Sequence, residues 1–62
     1  MEAKVGDLVH FWLNGRQIWG KVTYRCRTRG DKWILYVELQ EVGAGTTTIE
    51  ESIVKEVQSA QK

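Results

Sequence analysis

Between Leu8 and Gln40 apolar and polar residues alternate with a period of two in three runs, the pattern of half-buried β-strands. The first run is Leu8 to Leu13, LVHFWL. Asn14-Gly15 follows it, and both residues tolerate the positive φ of a type I′ turn, so the pair predicts a tight hairpin. A two-residue loop there sets Leu13 opposite Arg16, Trp12 opposite Gln17, Phe11 opposite Ile18, His10 opposite Trp19 and Val9 opposite Gly20. Val9, Phe11, Ile18 and Gly20 then share a core face, and Leu8, His10, Trp12, Trp19 and Lys21 share the other.

The second run, Ile18 to Gly30, divides most cleanly. Its even positions are Ile18, Gly20, Val22, Tyr24, Cys26 and Thr28, small or apolar and suited to a core. Its odd positions are Trp19, Lys21, Thr23, Arg25, Arg27 and Arg29, which on a strand form one outward basic stripe with a tryptophan at its end. Thr28 to Asp31 predicts the next reversal, with Gly30-Asp31 at its tip, and Lys32 to Gln40 a third strand. An even-length loop pairs Tyr24 with Val37, Cys26 with Leu35 and Val22 with Leu39 inside. The same register sets Arg25 opposite Tyr36 and Thr23 opposite Glu38 outside. The expected core is Val9, Phe11, Ile18, Val22, Tyr24, Leu35, Val37 and Leu39, with Trp33 on the same side as packing or a lid.

Val42 to Gly45 is a flexible turn, and Thr46 to Glu50 a fourth strand. The tail supports two readings. Ile49, Ile53, Val57 and Ala60 recur at helical spacing, and Thr48 with Glu51 matches a capping box. The β-branched Ile49, Ile53 and Val54 fit a one-turn helix and a short closing strand, which is the reading preferred here. The organisation expected is one domain over residues 1–57, with residues 58–62 frayed.

Sixty-two residues lie near the lower limit for a domain that folds alone, so the three Trp, two Tyr and one Phe carry much of the available burial. One cysteine excludes an intrachain disulfide and a thiolate metal site, and a lone thiol suits a reducing compartment. The opening MEAKVGD has no apolar run and no stretch reaches transmembrane length, so a cytoplasmic location is expected. The net charge of +1 hides an asymmetry. Residues 14–34 hold Arg16, Lys21, Arg25, Arg27, Arg29 and Lys32 against Asp31 alone. Residues 35–62 hold Glu38, Glu41, Glu50, Glu51 and Glu56 against Lys55 and Lys62. Such polarisation suits a polyanion or an acidic protein surface.

Four or five short strands with tight turns point to a small antiparallel β-barrel. KVGDLVHF, IWGKVTYR, WILYVEL and TTTIEESIVKEV resemble the SH3-like small barrels of the Tudor and KOW groups. In those a G-D-x-V opening strand, here Gly6 to Val9, precedes a G-x-V strand, here Gly20 to Val22, and a one-turn acidic helix precedes a brief closing strand. The resemblance implies binding without catalysis, to RNA, DNA, ribosomal or polymerase surfaces, or modified peptides. The loop from Glu41 to Thr46 would carry part of a methyl-reading aromatic cage; it holds no aromatic residue, which argues against that ligand.

Catalytic chemistry finds little support. No nucleophile or carboxylate is forced beside the lone His10, Cys26 belongs to a core face, and the acidic tail reads as a solvated run. No catalytic residue, cofactor or metal is expected. Two functions remain. One is nucleic-acid binding, with Lys21, Arg25, Arg27, Arg29 and Lys32 on phosphates and Trp12, Trp19 and Tyr36 as stacking surfaces. The other is a protein-interaction or self-assembly module, possible as a homo-oligomer, using the same aromatic and basic residues as anchors.

Overall fold

Five antiparallel strands form one sheet in the order β4-β3-β2-β1-β5, in a computed structural model that describes residues 2–59. The strands are β1 (Leu8–Leu13), β2 (Arg16–Arg27), β3 (Trp33–Leu39), β4 (Thr46–Glu50) and β5 (Glu56–Gln58). A single 3-10 turn, Glu51–Ile53, stands before β5. The all-β architecture and the turn-plus-strand reading of the tail both hold. Gln58 does not fray but closes β5 opposite Leu8, Ser59 follows it outside any strand, and residues 60–62 of the expected frayed tail lie outside the described residues.

The first hairpin follows the sequence reading pair by pair, from Leu13 opposite Arg16 to Val9 opposite Gly20. Asn14 and Gly15 take φ of 53° and 78°, the left-handed values that fit the twist of a two-residue hairpin. Gly20 is needed where β2 crosses from β1 to β3: a Cβ there would stand 3.0 Å from the Val37 Cβ. That close approach brings the two halves of the sheet over one core.

The second hairpin departs from the expected register, for two linked reasons. Its loop holds three residues, Arg29 to Asp31, closed by Thr28 N–H donating to the Lys32 carbonyl at 2.8 Å. Asp31 adopts φ of 61°, the left-handed position that ends a three-residue hairpin loop. An odd loop shifts the pairing by one residue, so Arg27 lies opposite Trp33, Cys26 opposite Ile34, Arg25 opposite Leu35 and Tyr24 opposite Tyr36. A bulge between Val22 and Tyr24 then absorbs one residue, Thr23, and Val22 pairs with Val37. Thr23 does not face Glu38; its hydroxyl donates to the Tyr36 carbonyl.

The core comprises Ala3, Val9, Phe11, Val22, Leu35, Val37, Ile49 and Val54, with Leu13, Ile18, Leu39 and Val57 packed against it. Tyr24 is therefore a correction. The slipped register turns it outward, and it is 58% exposed. Ala3 was not read as a core residue, yet it is fully buried. The arm that carries it is held by Gly6 N–H donating to the Val22 carbonyl, Val22 N–H donating to the Asp7 carbonyl, and Ala3 N–H donating to the Glu51 carboxylate.

Candidate contact surface

The outer face of the sheet carries two aromatic groups. On the first hairpin, His10 and Trp19 stack as a cross-strand pair with ring centroids 4.9 Å apart. Trp12, on the same face, is 47% exposed, and Lys21 follows Trp19 by one step of the alternation. On the second hairpin Tyr24 and Tyr36 meet edge to face at 5.5 Å, and Tyr36 is 44% exposed. Cross-strand aromatic pairs of this kind stabilise a sheet while leaving ring surface available.

The cations are distributed differently from the expected stripe. The three-residue loop moves Arg25 and Arg27 to the core side, at the end of the sheet where Trp33 closes it. Arg25 lies over the Trp33 ring at 3.9 Å, and Arg27 stands 5.8 Å from the same ring. The Arg25 side chain is only 20% exposed; its Nη2 donates to Glu51 Oε2 at 3.3 Å and lies 3.7 Å from Glu2. Its Nε is buried without a partner, so the guanidinium is held by stacking and by one end of its fork. Arg25 thus ties β2 to the 3-10 turn and to the N-terminal arm. Cys26, expected inside, pairs with Ile34 and lies half-buried on the outer side.

The asymmetry of charge along the chain is largely cancelled in space. Arg16 meets Glu41 at 3.6 Å, Arg27 meets Asp31 at 2.9 Å and Lys32 meets Glu50 at 3.7 Å, in addition to the Arg25 pairs. Four of the six cations in residues 14–34 therefore have a carboxylate within ion-pair distance. Lys21 and Arg29 have none among the described residues, and Lys21 lies opposite Glu38 in the ladder. Exposed pairs contribute little to stability, yet each places a negative charge well inside a Debye length of its cation.

An open pocket of about 410 Å³ adjoins this end of the sheet, with Trp33 as one wall and Asp31, Lys32, Glu50, Glu51 and Ser52 around it. Its charged groups are already engaged with Arg27, Arg25 and each other. Among the described residues no group of three or more His, Cys, Asp or Glu side chains could hold a metal ion. No described helix is long and apolar enough to cross a membrane.

Of the residues singled out by sequence, the structure gathers Trp12, Trp19 and Lys21 on the outer face of the first hairpin and Tyr36 on that of the second. Arg25 and Arg27 stand on the opposite side, and Arg29 and Lys32 in and beside the loop. Tyr24 and His10 complete the aromatic face, and sequence reasoning omitted both from the site. The one available signal for Tyr24 was Asp31, whose tolerance of the left-handed region allows an odd loop. Comparison with known proteins finds no matching family model, no matching curated protein and no matching solved structure.

Proposed function

We propose that this chain is a non-catalytic protein-interaction module whose contact surface is the aromatic outer face of β1, β2 and β3. The observation that carries this reading is the disposition of charge. Nucleic-acid affinity comes chiefly from cations that release counterions from phosphates, and here most of the basic segment is matched by carboxylates of the same chain. What remains exposed is Trp12, Tyr24 and Tyr36 beside a His10–Trp19 stack, residue types that anchor protein interfaces. The strand order, with a 3-10 turn before the last strand, supports the resemblance to SH3-like barrels.

The test is tryptophan fluorescence with a short single-stranded oligonucleotide, as DNA and as RNA, at low salt. The expected outcome is no saturable quenching. Saturable binding whose salt slope falls by about one for each of Lys21→Gln and Arg29→Gln would instead assign the surface to nucleic acid.

A further inference from the structure

The two edges of the sheet are unlike each other. β5 has three residues, is flanked by Lys55 and begins with Glu56; short length and charge are the usual protections of an edge. β4 reads Thr-Thr-Thr-Ile-Glu, without Pro, Lys or bulge, and pairs only with β3. The hydrogen-bond phase shows which of its groups face outward. Leu39 N–H donates to the Gly45 carbonyl, so Leu39/Gly45 is a bonded pair, and by alternation so are Val37/Thr47 and Leu35/Ile49. The N–H and C=O of Thr46 and Thr48, and the N–H of Glu50, therefore point away from β3. The Glu50 carbonyl lies at the start of the 3-10 turn. Among the described residues no other strand meets these groups.

We propose that the β4 edge pairs antiparallel with the β4 edge of a second copy of this chain, about a two-fold axis at Thr48. The proposal rests on the reading of the chain as a protein-interaction module and adds to it a second contact, at the sheet edge beside the aromatic face. The strand is complementary to itself in this register. Thr48 meets Thr48 of the second copy in a bonded pair that exchanges two N–H···O bonds. Each Glu50 N–H reaches the Thr46 carbonyl of the other copy, and Thr47 faces Ile49. The single charged residue of the strand falls opposite a threonine, so no like charges oppose each other, and Thr–Thr is a favourable cross-strand pair. The outer face becomes continuous across the axis: in each copy Tyr24, Tyr36 and Thr48 lie in one row, ending at the junction. An edge of five residues gives a small contact, so the dimer belongs in the micromolar to millimolar range.

The experiment is sedimentation velocity over that concentration range, together with amide exchange on the intact chain. Wild-type protein is expected to dimerise, with the amides of Thr48 and Glu50 gaining protection as concentration rises and those of Thr47 and Ile49 protected throughout. Thr48→Lys sets two ammonium groups against each other at the axis and should raise the dimer dissociation constant by about tenfold or more. Thr48 is exposed on the outer face, so the monomer fold should persist. An equimolar mixture of Thr48→Lys and Thr48→Asp chains should recover dimer. A wild-type chain that stays monomeric and binds no oligonucleotide overturns the edge pairing and leaves the interaction-module reading standing. The same holds for a dimer that Thr48→Lys does not weaken but Trp12→Ala does. Oligonucleotide binding by a monomer overturns both.

Discussion

The two halves of β2 have nearly the same alternation in sequence and opposite fates in space. From Arg16 to Val22 each residue lies on the face its position predicts: Ile18 and Val22 pack inward, while Trp19 and Lys21 stand outside. From Tyr24 to Arg27 the faces are exchanged. Tyr24 is turned to solvent, and Arg25 is drawn beneath Trp33. The difference comes from one residue of loop length at Asp31, compensated by one residue of bulge at Thr23. Period-two patterning says which residues share a face only between bulges, and it leaves the choice of face to the turn. Here a favourable cation–π stack and the Glu51 carboxylate make the inward position tolerable for an arginine whose stem is largely apolar.

The sharpest break falls in the half that reads correctly. Val22→Asp buries a carboxylate with no partner and costs several kcal/mol, comparable with the whole stability of so small a domain. Circular dichroism should show no cooperative thermal transition; a retained transition would show that Val22 is not in the core. Gly20→Val comes next. Its Cβ would meet Val37 within 3.0 Å and force the crossing strands apart, lowering stability by about 1–3 kcal/mol in a urea titration.

The exchanged half is tested by two arginines that a single outward stripe would make equivalent. Arg25→Gln removes the Trp33 stack and the Glu51 bond and should cost about 1–2 kcal/mol. Arg27→Gln loses an exposed pair with Asp31 and should cost about 0.5 kcal/mol or less. Equal small losses at both sites would favour the stripe. A double-mutant cycle between Arg25 and Glu51 isolates their coupling from the stack.

Much of the fold was legible because its signals are local. Asn14-Gly15 set the first register, and the β-branched residues of the tail pointed to a turn and a short strand. The site was less legible. Gly30-Asp31 reads as a two-residue tip, whereas the loop closes between Thr28 and Lys32. That difference, together with the bulge at Thr23, misplaces Tyr24, Arg25, Cys26 and Arg27. The pairing of Lys32 with Glu50 and Arg25 with Glu51 joins segments distant along the chain, so charge asymmetry by sequence region could not reveal its own cancellation. Ala3 gave no sign of burial because it belongs to no alternating run.

The bond from the Ala3 amide to Glu51 joins residues 48 apart, whereas β1, β2, β3 and β4 are linked in succession by short turns. Closing so long a loop costs more entropy than closing a hairpin, so this contact is expected to form after the hairpins and after the rate-limiting barrier. Interactions formed after the barrier govern how fast a protein comes apart, not how fast it assembles. Glu51→Ala, which removes the acceptor, should raise the unfolding rates of a chevron plot and leave the refolding arm almost unmoved. With that outcome the arm at Ala3 would be a kinetic latch, a contact that sets the lifetime of the folded chain.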